Sequence, residues 1–125
     1  MIVAGFGCRA AASPEALRAA LDAALAAARI QLPMLAGLAV PADRLVQLES
    51  LAVSLDLPLH ALTEAALRAP TTITRSPRSL AARGCGSVAE AAALAAAGKG
   101  ARLLATRQIS PDRSATCAIA QGESS

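Results

Sequence analysis

A chain of 125 residues with a formal charge of +3, 54% hydrophobic residues and 17% charged ones is long enough to bury one core and too apolar to stay disordered. No apolar run approaches the ~18 residues a membrane span requires, and a single aromatic residue, Phe6, leaves no stacking platforms for single-stranded nucleic acid. The expectation is one soluble domain, 1–125, with neither membrane nor nucleic acid as partner.

Residues 2–6 are an apolar run that reads as a buried first strand opening at Gly5-Phe6-Gly7-Cys8-Arg9 into a loop. Ser13-Pro14-Glu15 then starts a helix: Ser13 is a good N-cap, Pro14 suits the first helical position, and Glu15 meets the positive end of the dipole. Leu17, Leu21 and Leu25 carry that helix to about residue 28. A second apolar stretch, 34–40, reads as a strand, and Pro41-Ala42-Asp43 opens a second helix striped by Leu45, Leu48, Leu51 and Leu55. Asp56-Leu57-Pro58 ends it, residues 59–62 form a short third strand, and 63–68 a brief helix.

From 69 to 86 the pattern dissolves into Pro, Thr, Ser, Arg and Gly, which predicts a mobile loop bearing Arg75, Arg78 and Arg83. Ser87-Val88-Ala89-Glu90 has the form of a capping box, and an alanine-rich helix follows to Gly98. Two closing strands, 101–109 and 114–120, flank the turn residues Ser110-Pro111-Asp112-Arg113 and predict a hairpin. The alternation makes the fold α/β: a three-layer α/β/α sandwich around a mixed, mostly parallel sheet of about five strands. Its two Gly-rich strand-to-helix loops are expected to meet at the carboxyl edge of the sheet, where open α/β sheets bind ligands.

The charge is lopsided, with four arginines against five acids in residues 1–60 and eight basic residues against four acids in 61–125, so the second half faces anions. The opening residues lack the basic start of a secretory signal, and three cysteines at distant spacings (Cys8, Cys85, Cys117) form neither a disulfide framework nor a metal knuckle. A cytoplasmic location, reduced thiols and no metal are expected. Gly5-x-Gly7-x-x-Ala10 fits a dinucleotide fingerprint, but its helix begins late and no acid ends the second strand, so a generic nucleotide-binding domain is a distant alternative. No Walker motif is present, and no cofactor is expected. His60, in an apolar run, reads as a core or structural residue first and a catalytic acid/base second. Cys8 reads as a small buried thiol before a reactive one. Glu90 serves as the partner of Ser87 while lining the mouth of the site.

The motifs Gly5-Phe6-Gly7-Cys8-Arg9 with Ser13-Pro14-Glu15, then Gly84-Cys85-Gly86-Ser87-Val88-Ala89-Glu90, and finally Ser114-Ala115-Thr116-Cys117-Ala118-Ile119-Ala120, resemble the CobE/CbiG C-terminal domain family over the whole chain. The chain's extent matches the stand-alone members rather than the longer two-part ones. The resemblance implies a role in aerobic cobalamin (vitamin B12) biosynthesis, binding a precorrin-type tetrapyrrole as accessory or carrier protein, with other enzymes of the pathway as further partners. It also implies an alternative, a hydrolase acting on a precorrin lactone or acyl arm, for which Glu90 and His60 are the catalytic candidates. The acidic arms of such a macrocycle call for Arg9, Ser13, Ser87, Glu90 and Thr116, with Cys8 beside them and Gly5, Gly7, Gly84 and Gly86 allowing close backbone approach.

Overall fold

The computed structural model describes residues 1–77, 80 and 86–123; Arg78, Arg83, Gly84 and Cys85 lie outside the described residues. In chain order the elements are β1 (Ile2–Cys8), α1 (Pro14–Ala28), β2 (Gly37–Pro41), α2 (Leu45–Leu55), β3 (Leu59–Leu62), α3 (Glu64–Arg68), α4 (Val88–Ala97), β4 (Arg102–Ile109) and β5 (Ala115–Gln121). Single turns of 3-10 helix, Leu32–Met34 and Ala42–Arg44, precede β2 and α2.

The five strands form one sheet in the order β3-β2-β1-β5-β4. β1, β2 and β3 run parallel, while β5 lies antiparallel to both β1 and β4. The sheet is therefore mixed, and the last strand fills its interior. Pairing of Ile2 with Gln121 and of Cys8 with Ala115 joins segments far apart in sequence. β4 is bulged between Leu103 and Gln108, where its register with β5 shifts twice.

Alternation along β1 sends side chains to two different layers. Ala4 and Phe6 meet the leucines of α1 and α2 (Leu17, Leu21, Leu25, Leu48, Leu51), together with Leu38, Val40, Cys117 and Ile119. Each fully buried Leu or Ile there contributes about 2 kcal/mol of transfer free energy. Val3 faces the other way, with Ala39, Leu67, Ala120 and the alanines of α4. These are the three layers predicted from the sequence.

Ser13 caps α1 by accepting the Ala16 N–H at 3.1 Å, with Pro14 at the first position, as its residue types require. Both long helices on the leucine face end without glycine: Arg29 and Asp56 take the left-handed conformation, at φ 57° and 55°. Each end is closed by backbone bonds to the last turn, Ile30 N–H to Leu25 O and Leu57 N–H to Ala52 O.

Gly5 and Gly7 belong to β1, which continues through Cys8 instead of opening at residue 5. A Cβ on Gly5 would overlap Ala89 O and Ala93 N of α4, so the helix backbone rests directly on the strand. The small residues that resembled a ligand-binding turn are thus used for helix-to-sheet contact, which removes the basis of the dinucleotide fingerprint.

Candidate functional site

β1, β2, β3 and β4 all end at one edge of the sheet, where β5 begins. The segment after β1 leads there into α1 on the leucine face, and the start of α4 reaches the same edge on the alanine face, with Val88 beside Gly7. Both helix N-termini, the positive ends of their helix dipoles, therefore open toward that edge from opposite sides of the sheet.

On the leucine side, Arg9 is exposed and its N–H donates to Ser114 O at 2.9 Å, joining the β1–α1 connection to the β4–β5 turn. Arg44 donates Nε to Cys8 O at 3.1 Å, and Gln47 donates Nε2 to Ala10 O at 3.3 Å, so the start of α2 braces that connection. Within the turn, Asp112 Oδ1 accepts the Ser110 hydroxyl at 2.7 Å, the Ser114 N–H at 3.0 Å and the Ser114 hydroxyl at 2.7 Å. Those bonds, the Ser114 N–H foremost, hold its carboxyl below the usual range. Arg113, left-handed at φ 63°, projects from the same turn.

The alanine side is organised around Glu90, which is fully buried. Burial opposes its ionisation, but the Thr74 hydroxyl and the N–H groups of Arg107, Thr74 and Ile73 outweigh it and bring the carboxyl below its ordinary value. Glu90 is therefore an ionised acceptor at neutral pH, with no proton to give. The capping box is half realised: Ser87 Oγ accepts the Glu90 N–H at 3.3 Å, while the Glu90 carboxylate turns away to residues outside its helix.

Part of the segment expected to be mobile is packed. Thr72 is buried, its hydroxyl donates to Thr74 O at 2.8 Å, and Ser76 N–H donates to Gly86 O at 2.6 Å. Gly86 lies so close to Thr72 Oγ1 and Thr74 O that a Cβ would overlap them, with Arg75 Cα just beyond. Thr116 Oγ1 donates to Gly7 O at 3.2 Å at the end of the β1–β5 ladder.

The structure thus carries Arg9, Ser13 and Cys8 at one side of the edge and Gly7, Gly86, Ser87, Glu90 and Thr116 at the other, separated by the sheet itself. Gly5 is covered by α4. His60 is not a core residue: it is exposed on the edge strand β3, its ring over Gly37, whereas Glu90 is buried in the first turn of α4. Sequence reasoning missed Arg44 and Thr74, since neither sits in a motif and their partners are 36 and 16 residues away. Burial pushes the Cys117 thiol well up.

A groove of about 440 Å³ runs along the outside of α1 and α2 from the N-terminus of α1, lined by Pro14, Glu15, Arg18, Asp22, Ser50 and Ser54 among others. Among the described residues no cluster of three or more His, Cys, Asp or Glu could hold a metal, and no helix is long and apolar enough to cross a membrane.

Comparison with known proteins gives the architecture its relatives. The crystal structure of CobE, a protein from the cobalamin (vitamin B12) biosynthetic pathway, superposes with a TM-score of 0.87 at 35% identity, covering 100% of this chain and 92% of that one. The cobalamin biosynthesis protein chiG from Agrobacterium tumefaciens str. C58 matches with a TM-score of 0.75 at 35% identity, covering 99% and 100%. A homolog of cobalamin biosynthesis protein G from Sulfolobus solfataricus shares the fold at a TM-score of 0.76 and 20% identity; this chain spans 37% of its length. Comparison with curated protein sequences finds no significant match. The profile of the family described as Cobalamin synthesis G C-terminus matches residues 2–120, and the chain belongs to that family of cobalamin biosynthesis proteins.

Proposed function

We propose that this domain binds a precorrin-type tetrapyrrole, as an accessory or carrier protein of cobalamin biosynthesis, at the sheet edge where the two helix N-termini open. The observation that carries the proposal is the placement of arginines. Arg9, Arg44, Arg75, Arg107 and Arg113 sit on segments that reach this edge; of the acids on such segments (Glu15, Asp43, Glu64, Glu90 and Asp112), Asp112 and Glu90 are engaged in local hydrogen bonds and Glu64 pairs with Arg68. Guanidinium groups and helix N-termini are what several acetate and propionate arms need. Their spread over both sides of the sheet suits a wide ligand that lies across the strand ends. Leu, Val and Ala side chains, not aromatic rings, supply the apolar contact.

Hydrolysis of a precorrin arm is less well supported. No hydrogen bond links the exposed His60 to the buried Glu90, and the four bonds to the Glu90 carboxylate leave it no free acceptor position for a substrate proton. Titration with a corrin or porphyrin polycarboxylate, followed by absorbance, tests the proposal. Saturation at tens of micromolar or tighter, weakened by added salt, is expected, and a flat titration to about 100 µM rejects it. Arg9→Ala and Arg113→Ala are expected to raise the Kd by several-fold each without loss of fold, since both residues are exposed.

A further inference from the structure

Among the described residues Glu90 is the only buried one that carries a charge, and the binding reading gives it no contact with ligand. Its Oε1 accepts the N–H groups of Ile73 and Thr74, both at 2.8 Å, and its Oε2 accepts Thr74 Oγ1 at 2.5 Å and Arg107 N–H at 2.8 Å. Three pieces of chain distant in sequence are tied to one carboxylate: α4 itself, the segment before Ser76, and β4. Every donor comes from outside the helix that carries the acceptor.

Two of the tied positions bear directly on the proposed site. Thr74 immediately precedes Arg75, whose Cα is also pressed against Gly86, and Arg107 is held through its own backbone N–H in the irregular stretch of β4. An apolar side chain in place of Glu90 would fill the same space but could not bind adjacent N–H groups on a loop, and a buried carboxylate persists only where such partners exist. We infer that Glu90 is a positioning residue: it fastens the Arg75 segment and Arg107 to the start of α4, setting where those two guanidinium groups are presented to an anionic ligand. The inference rests on the polycarboxylate reading for its ligand and on the hydrogen bonds for its mechanism.

The two parts are tested separately. Residue-resolved amide exchange compares the wild-type protein with Glu90→Gln, whose amide offers one acceptor oxygen and turns two donors toward groups that are themselves donors. Exchange at Ile73, Thr74 and Arg107 is expected to accelerate at least about tenfold, with the amides of α1 and the centre of β5 unchanged. Uniform acceleration everywhere, or no change at those three, overturns the fastening. Uroporphyrin, a stable octacarboxylate, serves as the binding probe in a double-mutant cycle of Glu90→Gln with Arg75→Ala. Each single variant is expected to weaken binding by about tenfold and the pair by clearly less than about a hundredfold, because Glu90 acts in part through Arg75 and in part through Arg107. Additive losses overturn the inference, since they mark Glu90 as an independent contact. Should Glu90→Gln not fold, Thr74→Val removes one donor and keeps the carboxylate, and the same pattern is expected at smaller amplitude. A wild-type protein that does not bind uroporphyrin sinks the ligand reading and the role in presentation with it, whereas the exchange result still decides whether Glu90 fastens the loop.

Discussion

The two faces of the sheet are packed on different principles. Against one, α1 and α2 set leucines on Ala4, Phe6, Leu38 and Ile119, and volume fills the space. Against the other, α4 sets alanines on Val3, Gly5 and Ala120, and the backbones approach until no Cβ fits at Gly5. The leucine layer holds by bulk and can relax around a lost methyl group. The alanine layer holds by proximity, with backbone atoms as the facing surface, and it has nothing soft to yield. The same proximity lets the short Glu90 side chain reach both a loop and β4 from the first turn of α4. Rigidity and the buried polar contact thus occur on one side.

The sharpest break in that comparison is a single methyl group added or removed on neighbouring residues. Gly5→Ala is expected to cost about 3 kcal/mol or more by urea unfolding, since its Cβ meets backbone and not a movable side chain. Ala4→Gly, one residue away on the leucine face, is expected to cost roughly 1–2 kcal/mol. Equal costs would mean that the two layers do not differ as described.

Glu90→Gln comes next, at about 2–3 kcal/mol, because it leaves buried donors without an acceptor. Its pH dependence has a definite sign. The folded carboxyl titrates below its unfolded value near 4.5, so the carboxylate's contribution is complete above that pH and is lost as pH falls through the lower folded value. The stability gap between wild type and Glu90→Gln, measured by denaturant titration from pH 7 to pH 3, is expected to narrow only in the acid part of that range.

Smaller and opposite in sign are the helix ends of the leucine face. Arg29→Gly and Asp56→Gly relieve a left-handed conformation that disfavours a Cβ, and each is expected to stabilise by up to about 1 kcal/mol, read as a rise of a few degrees in Tm. The smallest effect is a rate without a stability change. Cys117, buried with its pKa raised, is expected to resist alkylation in the native state and to react at the rate of unfolding.

Local signals carried the order of elements. Ser13 and Pro14 announced α1, Ser87 announced α4, and the leucine spacing identified the bulky face. What stayed hidden depended on partners distant in the chain. Gly5 and Gly7 followed by Cys8 and Arg9 have the composition of a turn, and only the presence of α4 above them makes them strand residues. The S-x-x-E pattern was read as a closed box because both halves are local; the Glu90 carboxylate found better donors in Ile73, Thr74 and Arg107. Likewise His60 looked internal among Leu59, Ala61 and Leu62 because nothing in that run reveals that β3 lies at the sheet margin. Of the proposed site, Arg9, Ser13, Ser87 and Thr116 were legible as residues of the edge, but not the fact that the sheet stands between them.

The insertion of β5 between β1 and β4 has a consequence for how the domain comes into being. Until residues 115–121 are available, β1 lacks one neighbour and β4 has none, and the early strands present unpaired backbone groups to solvent. During synthesis on the ribosome, β1, β2 and β3 must wait with an open flank for residues 115–121, and the closing step spans a loop of more than a hundred residues. Such a topology favours slow, late cooperative assembly over stepwise growth and leaves the nascent chain dependent on protection from its neighbours in the meantime.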